Sequence, residues 1–272
     1  MQENVRIGDV TFNCYRTGSG PALIFVHCSG GSHKEWRFAL EDCSRDFHVI
    51  APDLFGYGAN PPWTSPTNPH SVDDLELLAR LIPEEGPYHL VGHSCGAVLA
   101  LETARQAFSG AFQVPQSLFL IEPPATYLLR DSHHWQKFQR LKAKCLTAVN
   151  HNNLTQAART FMGFWIGHLP WFFAPRWQKQ RMASAMTKIA YELAILDSGS
   201  HRFDDHRIVD CPVTLISGSR SPAIVRTLNQ HLQTHLPNAR HLTIKGAGHM
   251  SPYTHPQAVK RLLDEHLGWV SG

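Results

Sequence analysis

The chain has 272 residues, 43% of them hydrophobic and 17% charged, with a formal net charge of +3. That is enough apolar material for a full core in one domain with an insertion, and too little spread charge for nucleic acid to be an expected partner. No apolar run approaches the roughly 18 residues of a membrane span, so no membrane partner is expected. The opening "MQENVRIGDV" lacks a charged-then-apolar leader pattern, which makes the cytoplasm the expected compartment. Six cysteines (Cys14, Cys28, Cys43, Cys95, Cys145 and Cys211) show no CxxC pairing, as reduced thiols would.

In chain order, "VRIGDVTFNCYRTG" reads as a hairpin turning at Gly8-Asp9. Strands follow at "ALIFVH" from Ala22, "FHVIAPDL" from Phe47, "YHLVGHS" from Tyr88, "QSLFLIEP" from Gln116, "VTLISGS" from Val213 and "RHLTIKGAG" from Arg240. After the hairpin these runs are almost continuously apolar, the pattern of parallel strands covered on both faces. Between them, apolar residues at three- and four-residue spacing predict helices over 32–43, 71–82, 95–108, 222–236 and 256–267. Strand-helix alternation after a hairpin implies an α/β fold, a mostly parallel doubly wound sheet whose ligands bind at the carboxyl ends of the strands.

The alternation breaks between Glu122 and Cys211. The expected organisation is a core of residues 1–122 and 206–272 with a helical lid, or cap, at 123–205; the bland alternative is a set of helices that enlarge the core. From Pro124 to Asp205 there are eleven Lys/Arg and five Asp/Glu, a basic balance that suits either anionic substrates or a solvated helix face. Its aromatics Phe161, Phe164, Trp165, Trp171, Phe172 and Trp177 are candidates for a substrate pocket or for packing, with Phe161, Trp165 and Trp171 taken as substrate-binding.

Gly92-His93-Ser94-Cys95-Gly96 fits the G-x-S-x-G nucleophile elbow, a strained strand-to-helix turn that holds a serine hydroxyl clear. A glycine-rich βα turn with no chemistry is the competing explanation. A serine needs a base, and His249 in "IKGAGHMSPYTHP" follows the last predicted strand, where the base of an elbow-type hydrolase belongs; Gly246 and Gly248 would let the loop turn back. Nearby His255, beside Pro256, suits the start of the last helix. An acyl-transfer site also needs oxyanion donors, and the backbone N–H groups of Ser29, in "HCSGGS", and Cys95 are the candidates. His93 has no evident chemical task beyond packing or hydrogen bonding. His231 and His235 have the i, i+4 spacing of metal ligands but no third partner, so neither metal nor cofactor is expected. Cys28 and Cys95, beside the oxyanion site, predict sensitivity to thiol reagents.

"HCSGGS", "PDLFGYG", "GHSCG", "LIEPP" and "GAGHMSPYTHP", in this order, resemble the α/β-hydrolase superfamily, in its lid-bearing bacterial serine esterase-like branch. The resemblance runs nearly the full chain and implies an α/β-hydrolase fold with Ser94 as nucleophile, His249 as general base, and Ser29 with Cys95 as the oxyanion hole. Cys28 departs from the glycine usual after the motif histidine. Ser221 stands where most members carry the catalytic aspartate, and a serine cannot stabilise an imidazolium. Some members place the acid after the preceding strand, where this chain has Glu122. The alternatives are a structural glutamate with a Ser94–His249 dyad, or a crippled site.

The expected function is hydrolysis of a small-molecule carboxylic ester or related acyl substrate through an acyl-enzyme. A ligand-binding receptor-like protein of little turnover, a carbon-carbon bond hydrolase and a cofactor-free oxygenase remain open on the same scaffold. Oligomeric state is not legible.

Overall fold

The computed structural model describes residues 2–7, 10–63, 74–198 and 209–271. Eight strands form one sheet: β1 (Gln2–Ile7), β2 (Val10–Thr17), β3 (Ala22–Val26), β4 (His48–Pro52), β5 (Tyr88–His93), β6 (Ser117–Ile121), β7 (Val213–Gly218) and β8 (Ala239–Ile244). Their spatial order is β1-β2-β4-β3-β5-β6-β7-β8. The β1–β2 and β2–β4 pairs are antiparallel, and every other pair is parallel. Gly8 and Asp9, the expected hairpin turn, lie outside the described residues.

Side chains alternate between two cores, as the strand period demands. Leu23, Phe25, Val91, Phe119 and Ile216 pack with Trp36, Leu40, Val259 and Leu263, which come from the segment around α1 (Arg37–Cys43) and from α10 (Pro256–Ser271). Ile24, Val26, Leu90, Leu118 and Leu215 pack the other way, against α2 (Asp74–Leu81), α3 (Cys95–Phe108) and α8 (Ala223–His235). The predicted helix over 32–43 begins instead as a 3-10 turn, His33–Trp36. His255 precedes Pro256, and its carbonyl accepts from the amides of Ala258 and Val259 at the start of α10.

Between β6 and β7 the described chain is helical: α4 (His133–Asn150), α5 (Leu154–Trp165), α6 (His168–Phe173) and α7 (Arg176–Ser198). Ser132 and Asn153 cap α4 and α5 by accepting the amides of Trp135 and Gln156. Phe138, Leu141, Phe161, Met186 and Leu193 join the same apolar cluster as α3 and α8, so these helices enlarge that core. A buried ammonium fastens them: Lys188 of α7 donates to Asp74 Oδ2 at 2.6 Å and to the Phe55 carbonyl at 2.5 Å. Among the described residues no helix is long and apolar enough to cross a membrane.

Candidate active site

Two side chains project from adjacent strand ends, and both have the same unusual backbone. Ser94, just past β5, has φ 53°, and Glu122, just past β6, has φ 50°. Each amide still pairs with the neighbouring strand, Ser94 N–H with the Ile121 carbonyl at 2.8 Å and Glu122 N–H with that of Ile216 at 3.0 Å. The chain then turns sharply through the left-handed region, a conformation that costs a non-glycine residue of order 1 kcal/mol or more and recurs at functional sites. The elbow glycines make the close approach possible. A Cβ on Gly92 would lie 2.5 Å from the Gly96 carbonyl, and one on Gly96 would lie 2.4 Å from the carbonyls of Val26 and His27.

His249 reaches the site from the loop after β8, where Gly246 turns at φ 81°. Gly248 does not need its glycine for conformation; its side is open space on the cleft wall. His249 Nε2 lies 3.1 Å from Ser94 Oγ, and Nδ1 lies 2.7 Å from Glu122 Oε2. The other carboxylate oxygen, Oε1, accepts from the Gly218 amide at 2.7 Å and from the Ser221 hydroxyl. Burial alone would raise the Glu122 pKa, but the bonds from His249, Ser221 and Gly218 outweigh it and hold the carboxyl below its ordinary value. Burial pulls the His249 imidazole below its ordinary value, against the opposing pull of Glu122. A neutral imidazole oriented by a charged carboxylate can take the proton of Ser94.

Cys95 is the first residue of α3, so its amide has no acceptor within that helix. Ser29 sits in a turn closed by the Gly31 amide on the Cys28 carbonyl, with Gly30 at φ 69°. Its hydroxyl donates to Glu192 Oε2 of α7 at 2.5 Å. Cys28 and Cys95 are buried, and desolvation pushes both thiols well up in pKa, helped by Glu35 for Cys28 and by Glu192 for Cys95. Burial and the raised pKa lower the reactivity expected of both thiols, although Cys28 also lines the cleft and the hollow beside Ser94.

A cleft of about 880 Å³ opens beside His249, its walls including Met162, Phe164, Trp165, Phe173, Trp177 and Met182. Arg181 and Arg220 also line it, and no Asp or Glu does among the described residues. Ser94 itself opens on an adjoining hollow of about 30 Å³ walled by Phe161, Met162, Trp165 and Met182. Trp165 belongs to both walls and stacks on the His249 ring, centroids 4.6 Å apart at 23°.

The structure thus places Phe161 and Trp165 beside the site but not Trp171. Trp171 is buried in the core and lines neither cavity, because α6 turns it inward while Leu169, Phe172 and Phe173 stand 69%, 71% and 75% exposed. Sequence reasoning missed Phe173 on the cleft wall; one turn of helix is too short for periodicity to reveal its facing.

It also missed Glu35. This carboxylate is buried against His93 Nδ1 and accepts the Cys28 amide at 3.0 Å. Cys28, Glu35 and His93 are the one trio among the described residues whose potential metal-ligating atoms converge, within 4.8 Å. The carboxylate and imidazole are bonded to each other, and burial pushes the Cys28 thiol well up in pKa. His231 and His235 lie on α8, where His235 Nδ1 bonds the His231 carbonyl at 2.9 Å.

The model of the Alpha/beta hydrolase family matches residues 23–262. The chain therefore belongs to the α/β-hydrolase family, and it is an enzyme of the hydrolase kind. It is 29% identical to a fluoroacetate dehalogenase of a Burkholderia species over 148 residues, 50% of this chain and 48% of that protein. It is 23% identical over 260 residues to RutD of Escherichia coli, named for a proposed carbamate hydrolase activity, covering 89% and 85% of the two chains. Among solved structures, an α/β hydrolase from Sphaerobacter thermophilus superposes with a TM-score of 0.73 at 24% identity, covering 97% of this chain and 100% of that one. A thermophilic esterase from Thermogutta terrifontis gives 0.72 at 20% identity, with 99% of each chain covered. At such identities these structures speak for the fold alone.

Proposed function

We propose that this hydrolase cleaves a small-molecule carboxylic ester or related acyl substrate through an acyl-enzyme, with Ser94 as nucleophile, His249 as general base and Glu122 as the acid. The observation that carries the reading is the unbroken relay of 3.1 Å from Ser94 to His249 and 2.7 Å from His249 to Glu122. Ser94 Oγ attacks the acyl carbon as its proton passes to His249 Nε2. The charge developing on the acyl oxygen is met by the amides of Ser29 and Cys95. His249 then returns the proton to the departing alcohol, and water repeats the sequence to free the acid. Glu122 keeps its charge throughout and steadies the imidazolium. The helices α4 to α7 act as the lid over this chemistry, and Arg181 with Arg220 favours substrates whose far end is anionic.

Ser221 in the usual acid position is the feature that favours a receptor of little turnover. Its hydroxyl instead supports the Glu122 carboxylate, which weighs toward catalysis. Hydrolysis of p-nitrophenyl acetate by the wild type, Ser94→Ala and Glu122→Gln tests the reading. Turnover should vanish in the first variant and fall about a hundredfold or more in the second. Near-normal activity in Glu122→Gln would remove it as the acid, and a wild type inert across several esters would favour the receptor.

A further inference from the structure

The relay leaves one buried pair of ionisable groups beside it with no step to perform. Glu35 is 3% exposed and His93 is fully buried, yet neither touches the space where a substrate would react. What they touch is the backbone of the loops that do the chemistry. Glu35 Oε2 accepts the amide of Cys28, the residue before the proposed oxyanion donor Ser29. Glu35 Oε1 is bonded to His93 Nδ1, and His93 immediately precedes Ser94. His93 Nε2 lies 2.9 Å from the carbonyl oxygen of His249 itself. Tyr253, on α9 (Ser251–Thr254) after the base loop, directs its hydroxyl at Glu35 Oε2 from 3.5 Å.

Donor and acceptor counting fixes one proton, and the surroundings of the pair place the other. A carbonyl oxygen can only accept, so His93 Nε2 must carry a proton. The Cys28 amide and the Tyr253 hydroxyl both donate to Glu35 Oε2. Against the pull of burial, these donors and the imidazole beside it hold the Glu35 carboxyl below its ordinary pKa while Glu35 raises that of His93, which puts the shared proton on His93 Nδ1. The pair is therefore an imidazolium on a carboxylate, buried and satisfied at every polar atom the three loops present to it.

We propose that Glu35 and His93 are positioning residues for the hydrolytic reaction: a buried carboxylate–imidazolium pair, separate from Ser94, Glu122 and His249, that sets the oxyanion loop, the elbow and the base loop relative to one another. The proposal rests on the serine hydrolase reading above. Displacement of a reacting group by an ångström is enough to cost about a hundredfold in rate, so a tie shared by all three loops bears directly on kcat. Its effect on substrate binding is small, because neither side chain lines the cleft.

The cation also faces the base. The His93 and His249 rings are 5.3 Å apart, while Glu122 from the end of β6 and Glu35 from the 3-10 turn lie on the opposing side of the charge balance. Replacing His93 with a neutral residue removes a positive neighbour of His249 and leaves both anions. The acid limb of kcat/KM, which reports the free His249, then moves to higher pH, an effect that loss of packing alone does not give.

The test compares His93→Gln, Glu35→Gln and the double variant with the wild type on p-nitrophenyl acetate, alongside proton and nitrogen NMR of the histidine rings in the wild type. The expected result is a kcat at least tenfold lower in each variant with KM within about twofold, and an acid limb displaced upward in His93→Gln. The double variant buries no lone charge, so it serves if a single variant fails to fold. In the wild type His93 should keep both ring protons from pH 6 to pH 9. A double variant with wild-type kcat, or a His93 ring that loses a proton within that range, overturns the proposal. A wild type that neither hydrolyses esters nor is labelled at Ser94 by a phosphonofluoridate overturns the hydrolase reading instead, and the NMR result still reports on the pair.

Discussion

The hydroxyl of Ser221, at the turn after β7, donates to Oε1 of Glu122 at the end of β6, so it supports the carboxylate of the proposed acid. Ser221→Ala removes one of the bonds that hold the Glu122 carboxyl low in pKa. The acid limb of the pH–rate profile should move upward, and kcat at neutral pH should fall roughly threefold to tenfold, the worth of about one hydrogen bond. Steady-state kinetics between pH 4 and pH 8 measure both; an unchanged profile would separate Ser221 from the acid.

His249 titrates below its ordinary value of 6.5 because burial disfavours the imidazolium. On the proposed mechanism the protonated form is inactive as a base, so activity should rise with pH as His249 loses its proton. The midpoint of kcat/KM should lie below 6.5, with full activity at neutral pH. In Glu122→Gln the anion that opposes the depression is gone, and what activity remains should show a midpoint lower still.

Trp165 walls the hollow at Ser94 and stacks on the His249 ring. At about 30 Å³ that hollow holds roughly one water, so short acyl groups should be preferred by the wild type. Trp165→Ala joins the hollow to the larger cleft. The ratio of kcat/KM for p-nitrophenyl hexanoate over acetate should rise at least fivefold, while the thermal midpoint falls from the loss of a buried indole, a cost of about 3–5 kcal/mol.

Lys188 carries a buried charge between Asp74 and Glu192, at 2.6 Å and 3.6 Å. Lys188→Met leaves two carboxylates facing each other without their cation. Removing one partner of a buried ion pair costs about 3–5 kcal/mol. Calorimetry should show a thermal midpoint lower by about 10 °C. Because Glu192 also holds the Ser29 hydroxyl, kcat should fall with it, whereas a surface lysine would affect neither.

Those parts of the molecule that depend on local chain chemistry could be read from the sequence: the elbow glycines, the buried parallel strands, and the positions of Glu122 and His249 just past strand ends. What escaped was long-range pairing. Glu35 meets His93 across 58 residues and Lys188 meets Asp74 across 114, and no periodicity or motif announces which buried charges will find each other. A mid-helix lysine reads as solvated until the fold buries it. Trp171 departs from the expected substrate wall for a related reason, since only packing decides which aromatic of a single helical turn faces inward.

With the proposed acid at the end of β6, the labour of the next turn is divided. Gly218 and Ser221 brace Glu122, while Arg220, between them, looks into the cleft. A loop that supplied the catalytic carboxylate itself would be tied to the reaction at its tip. Here the tip is free to face the cleft: on the proposed mechanism, exchange of Arg220 should alter which substrates are admitted and leave the Ser94–His249–Glu122 contacts in place.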